Sequence, residues 1–193
     1  MSNDERAAAT RAELMRAARE LFAARGYADV GTEEIVRAAH VTRGALYHHF
    51  ADKRDLFRAV HEQLADELLA GIGARLAGVD DPWEALVAGV RAFLDACTDP
   101  ALVRISHLDA PAVLGWAEWR EIDARHWLGL VTSALQEAMD AGVFTRRDVR
   151  PLAHMLLAAF AEAALLIANA PDPAAARREV EAPLLALLEG LRR

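Results

Sequence analysis

Apolar residues recur along this chain at intervals of three and four, the spacing that lines one face of a helix. No alternating Val/Ile/Thr run and no Asn-Gly or Asp-Gly pair signals a strand or hairpin. Leu14, Ala18, Leu21 and Phe22 mark one face of a first helix from about Ala7 to Arg25, with Gly26 as its stop. A short second helix is predicted from Thr32, as N-cap, to Ala39, burying Ile35 and Ala38. A third runs from the N-cap Thr42 to near Tyr47. Asp52 caps a fourth, with Asp55 at the capping-box position, and Leu56, Phe57, Val60, Leu64 and Leu68 carry it to about Gly78. Asp81-Pro82 and Asp99-Pro100 open the next two, and a long helix follows from about Leu114 to Ala141, closed by Gly142. Pro151 and Asp172-Pro173 open the last two, because proline suits a first helical turn. The expected fold is all-α. A small N-terminal unit of three helices (1–58) joins a larger helical body (59–193) through the fourth helix.

Two stretches of the body lack a polar face. From Leu152 to Ala170, one stripe holds Leu152, Met155, Leu156, Ala159, Ala163 and Leu166, and the other side holds Ala153, Leu157, Ala161, Ala164 and Ala168. A helix apolar all round is buried on both sides, and in a domain this small a second copy of the chain is the simplest cover. Val180, Leu184, Leu187, Leu188 and Leu191 stripe the last helix in the same way. The expected homodimer interface is therefore Leu157, Ala161, Ala164 and Ala168 with Leu184 and Leu188; a monomer with a crowded core is the alternative. Pro183 is expected to kink or split the last helix near Glu181. His154, Glu162 and Asn169, among many alanines, make the Leu152–Ala170 run a poor membrane span.

Charge sharpens the division. The 193 residues carry a net charge of −7, yet residues 1–60 alone sum to +1 and residues 61–193 to −8. An acidic protein with one non-acidic end can bind a polyanion there and keep it off the rest. The single cysteine, Cys97, allows no intrachain disulfide, and the polar start Met1 to Arg6 shows no signal-peptide core. A soluble cytoplasmic protein is expected. Lys53 is the only lysine beside many arginines, a bias that fits a GC-rich bacterial genome.

Thr32 to Phe57 is the informative stretch. Two short helices joined by Ala39-His40-Val41-Thr42 have the spacing of a helix-turn-helix, whose second helix enters the DNA major groove. That second helix anchors itself through Ala45, Leu46 and Phe50 and leaves Thr42, Arg43, Tyr47 and His48 outward. Arg43 can contact a guanine edge in bidentate fashion; Thr42, Tyr47, His48 and Lys53 suit phosphates, and Gly44-Ala45 lets the backbone approach closely. A helical hairpin unrelated to DNA has a similar outline.

The run Thr32-Glu33-Glu34-Ile35-Val36-Arg37-Ala38-Ala39-His40-Val41-Thr42-Arg43-Gly44-Ala45-Leu46-Tyr47-His48-His49-Phe50, followed by Lys53-Arg54-Asp55-Leu56-Phe57, resembles the signature of the tetracycline-repressor (TetR) family. The resemblance implies a transcription regulator, by default a repressor. It would be an all-helical homodimer of about nine helices that binds double-stranded operator DNA, with a C-terminal domain that takes a small effector. It places DNA contacts at Thr32, Thr42, Arg43, Gly44, Ala45, Tyr47, His48 and Lys53. Two positions depart from the pattern: His40, where glycine is usual and a left-handed backbone is expected, and Gly31, where a second threonine is common.

In the body, Trp116 and Trp119 with His107, Asp109 and Glu162 are the candidate effector-binding residues, as aromatics with a few convergent polar groups suit a small-molecule pocket. Core packing is the competing account for each of them. His107, Asp109, His126 and Glu162 lack metal-ligand spacing, so no metal or other cofactor is expected. Enzyme motifs are missing as well. Gly71-Ile72-Gly73 lies within a helix, His61-Glu62 lacks the second histidine of a zinc helix, and no Gly-x-Ser-x-Gly occurs. A helical interaction or ligand-binding module without operator binding remains the alternative.

Overall fold

The computed structural model describes residues 2–192, and these are helical almost throughout; an isolated bridge between Phe144 and Arg192 is the one β contact among them. Four helices lead: α1 (Asn3–Arg25), α2 (Thr32–Ala38), α3 (Arg43–His49) and α4 (Lys53–Leu76). α1 begins earlier than its apolar stripe requires, because Ser2 and Glu5 close a capping box. The Glu5 N–H donates to Ser2 Oγ (3.1 Å) and the Ser2 N–H to Glu5 Oε2 (2.7 Å). α2 is entered from Gly31 and not from Thr32, which is already helical; the Gly31 N–H donates to Glu34 Oε2 at 3.4 Å. Ala39, not Ala38, completes its buried face. α4 is capped as expected by Asp52, but the Asp55 carboxylate accepts from the Ala51 N–H, one residue before the cap.

The body continues with α5 (Pro82–Ala96), α6 (Pro100–Leu102), a π-helical segment (Val103–Asp109), α7 (Ala110–Leu114), α8 (Trp116–Asp140), α9 (Val149–Ala168) and α10 (Pro173–Glu189). The single helix expected after Asp99-Pro100 is thus three consecutive pieces with a wide turn in the middle. Gly115, at φ 81°, separates α7 from α8. Pro183 does not split α10. It and Glu179, whose carbonyl loses a helical N–H partner, both face outward, so water can take the bond's place.

Two hydrophobic cores result. The first joins α1–α4 to residues of the body, with Phe22, Leu46, Leu56 and Phe57 fully buried beside Ile105, Trp119 and Ile122. The second holds Leu94, Leu135, Phe144, Ala164, Ile167 and Leu188. α9 is long and apolar enough by composition to cross a membrane, yet it packs between α8 and α10 and against the π segment.

This packing corrects the expected interface. Leu157, Ala164, Leu184 and Leu188 are buried within the chain, and Ala161 and Ala168 are half-buried. These four residues keep at most 6% of their surface exposed and so offer little to a partner. The open side of α9 is Met155, Ala158, Glu162 and Leu166, and on α10 it is Ala182, Pro183, Ala186 and Leu187. Met155, Leu166 and Leu187 are each more than half exposed, at 69%, 54% and 56%.

Candidate DNA-contacting helix and effector cavity

α3 has only seven residues and cannot persist alone. Its N-terminus is held by Thr42, whose Oγ1 accepts from the Ala45 N–H at 3.2 Å, and its inner face by Leu46 and Phe50. The turn before it needs a left-handed residue, and His40 takes that role at φ 54°. Thr42, Arg43, Gly44, Tyr47 and His48 are left exposed, Ala45 and Thr32 half-buried. Arg43 is not loose: its Nη1 pairs with Glu33 Oε1 at 3.0 Å and its guanidinium lies 5.6 Å from the Tyr47 ring centre.

Lys53 stands apart from this surface. Its Nζ donates to the Tyr27 and Val30 carbonyls, both at 2.9 Å, and sits 3.9 Å from the Tyr27 ring centre. Burial pulls its pKa below the usual lysine value. Two of its three N–H donors are occupied, so its first task is to tie the α1–α2 loop to the start of α4.

Behind the helix-turn-helix, the body holds a partly open cavity of about 120 Å³, walled by α4, α5, the π segment, α8, α9 and α10. Of the sequence-predicted effector residues, it is lined by His107 and Trp119 and by none of the other three. Trp116 is 66% exposed on the surface, Glu162 lies on the open side of α9, and Asp109 points toward the N-terminal unit. The expected Trp116–Trp119 wall is corrected: the rings touch, with centroids 5.0 Å apart, but only Trp119 faces inward. One turn of offset on α8 is enough to separate them.

The cavity's polar groups are few. His61 and Ser106 are both buried, with His61 Nδ1 3.1 Å from Ser106 Oγ and His61 Nε2 without a partner. Trp119 Nε1 donates to the Ser106 carbonyl at 3.2 Å. Burial lowers the pKa of His61 and of His107 to about 4, leaving both imidazoles neutral near pH 7. Burial raises the carboxyl of Asp123, which also lines the cavity. His61, Ser106, Asp123 and Trp127 were not among the predicted effector residues, though three of them left a trace. His61 falls on the apolar stripe of α4 between Phe57 and Leu64, and Trp119, Asp123 and Trp127 repeat at every fourth position.

The π segment connects the two regions. Ser106 and His107 face the cavity, while the Asp109 carboxylate accepts from the Tyr27 N–H at 2.7 Å and Arg104 Nη2 donates to the Arg25 carbonyl at 3.3 Å. Gly26, at φ 82°, makes room for that arginine: a Cβ there would lie 2.4 Å from Arg104 Nη2. Among the described residues, no group of three or more His, Cys, Asp or Glu is placed to hold a metal ion.

Comparison with known proteins covers both regions. Residues 14–60 match the family model of bacterial regulatory proteins, tetR family, and residues 83–191 match that of the tetracyclin repressor-like C-terminal domain. The crystal structure of a TetR-family transcriptional regulator from Pectobacterium atrosepticum is 36% identical, with a TM-score of 0.87 over 100% of this chain and 98% of that one. The transposon Tn10 TetC protein of Escherichia coli is 29% identical over 143 residues, 74% of this chain and 72% of that protein. The HTH-type transcriptional activator FasR of Mycolicibacterium smegmatis is 38% identical over 95 residues, 49% of this chain but only 42% of that protein.

Proposed function

The chain belongs to the tetR family of bacterial regulatory proteins, and from that premise we propose that it is a cytoplasmic homodimeric repressor of an inverted-repeat operator, released by a small molecule in the cavity. Membership of the family makes it a DNA-binding transcription regulator and not an enzyme. The finer reading divides the chain into a DNA-binding unit (1–58) and an effector-binding and dimerising body (59–193). The observation that carries it is the outward face of α3, held rigid from behind by Leu46, Phe50 and the Thr42 cap. Arg43 reads a base edge once it exchanges Glu33 for guanine. Thr42, Tyr47 and His48 meet phosphates, Gly44 and Ala45 set the depth of approach, and Thr32 lies at the α2 N-terminus, where an anion is favoured. Lys53 supports the surface through its loop carbonyls.

The partner copy meets the open side of α9 and α10, because that side carries the most exposed aliphatic residues of the body. An effector acts through the π segment, whose one side lines the cavity and whose other side grips Arg25 and Tyr27. It weakens DNA binding only to the extent that it prefers one arrangement of that segment; coupling of about 1–3 kcal/mol corresponds to roughly 5–150-fold.

Selection of bound sequences from random DNA tests the reading. The expected result is an inverted repeat whose half-sites lie about one helical turn, or 34–36 Å, apart. Arg43→Ala should relax preference at one base per half-site, costing about 1–3 kcal/mol for each lost contact. Equal losses on operator and random DNA would reassign Arg43 to phosphate, and no enrichment at all would refute operator binding.

A further inference from the structure

We propose that the cavity takes a hydrophobic organic cation, an amine whose ammonium group lies against the Asp123 carboxylate and whose apolar part fills the space between the aromatic walls. The inference rests on the cavity being the effector site and adds the class of the effector.

Charge in the lining is the first observation. Asp123 is the only carboxylate among the lining residues, and no arginine or lysine accompanies it. It makes no hydrogen bond and no ion pair. The charges that act on it are its neighbours on α8, Arg120 and His126, and both pull against the effect of burial, although neither hydrogen-bonds to it: the Arg120 guanidinium lies over the Trp116 ring, and His126 contacts the Ile122 carbonyl and Asp66. Burial lifts the Asp123 carboxyl above its ordinary value against the opposing pull of Arg120 and His126. A carboxylate in apolar surroundings without a partner is costly, and a cation brought by a ligand removes that cost. A carboxylate or phosphate ligand would meet a like charge with no arginine or lysine in the lining to offset it.

A second anchor is His61. The residue is 5% exposed, lines the cavity, and leaves Nε2 without a partner. When Nδ1–H donates to Ser106 Oγ, the lone pair of Nε2 is free to accept an ammonium N–H. His61 and His107 carry no charge near neutral pH, so neither opposes a cation there. Trp119 and Trp127 also line the cavity, tryptophan being the best of the aromatic partners for an ammonium group, and Phe93 and Phe160 in the same lining pack edge to face with centroids 5.3 Å apart.

Calorimetric titration of the full-length protein, without DNA, compares three probes of one shape: 2-phenylethylammonium, 2-phenylethanol and 3-phenylpropionate. The cation should bind at least about tenfold more tightly than the alcohol, since desolvated cation–π and ionic contacts add to the same apolar burial. The propionate should bind worst. Asp123→Asn, nearly the same shape, should bring the cation down to the level of the alcohol while leaving the alcohol unchanged, which also shows that the cavity is intact. An alcohol that binds as well as the cation, a preference that survives Asp123→Asn, or binding by none of the probes would overturn the inference. Operator release is measured separately. Selective binding of the cation with the operator still held would leave this inference standing and refute the effector reading instead.

Discussion

The N-terminal unit and the body are built from the same kind of helix and differ in how they are filled. In the first core Phe22, Tyr27 and Phe57 stack on one another with centroids 5.1–5.7 Å apart, and Phe22 and Phe57 are fully buried. The body also buries Leu94, Leu135 and Ile167 completely but surrounds a cavity edged by His61, Ser106, His107 and Asp123. A solid unit keeps a short helix such as α3 in one position, as readout of a groove requires. A hollow unit can have two arrangements, one empty and one filled, as regulation requires. The first core also extends into the body through Leu102, Ile105, Ala110, Leu114, Trp119 and Ile122. The π segment, a distortion often found at functional sites, thus contributes Ile105 to the first core and Ser106 and His107 to the cavity wall.

Paired truncations give the largest expected effect. Phe57→Ala in the solid core should destabilise the fold by about 3–5 kcal/mol. Phe160→Ala, half-buried at the cavity wall, should cost less than half as much, because it enlarges an existing space. Denaturant unfolding of both variants checks the contrast, and equal losses would show that the body is as tightly filled as the head.

A charge on either side of α9 sharpens the second part of the comparison. Leu166→Glu, on the open side, should leave the helical signal and melting of the subunit intact but convert the dimer to a monomer in sedimentation, at about 1–3 kcal/mol for each polar group buried at the interface. Ala164→Glu, inside the second core, should impair folding itself. A Leu166→Glu protein that still sediments as a dimer would place the interface elsewhere.

The smallest effect concerns pH. His61 and His107 stay neutral in the fold down to about pH 4, whereas an unfolded histidine takes up its proton near pH 6.5. Between those values the unfolded chain binds more protons, so stability falls as the pH is lowered through the window and is fully present above it. At pH 5.5 each histidine should cost on the order of 1 kcal/mol. Melting temperatures from pH 7.5 to 5.5 should show the loss, and His61→Gln should reduce it; an unchanged slope would mean that His61 is protonated within the fold.

Local rules made much of the fold legible. The caps at Thr42, Asp52, Asp81 and Asp172 lie in the sequence because a short polar side chain satisfies the free N–H groups beside it. The turn at His40 could be read for the same reason, as its backbone depends on its immediate neighbours. The short helices α2 and α3 followed from the spacing of apolar residues and these signals, whereas reading them as a helix-turn-helix drew on the resemblance to the tetracycline-repressor family. What tertiary structure decided is which side of an apolar helix faces which neighbour. Along α9 both sides are apolar, and nothing local states that Ala164 belongs to the chain's own core and Leu166 to the open side. The same holds for Trp116 and Trp119, three residues apart and turned to opposite environments, and for Lys53, whose partners lie in a loop more than twenty residues earlier. Hydrophobicity orders residues by their distance from water without naming the surface that excludes it, so the cavity and the open side of α9 and α10 exist only once the helices have packed.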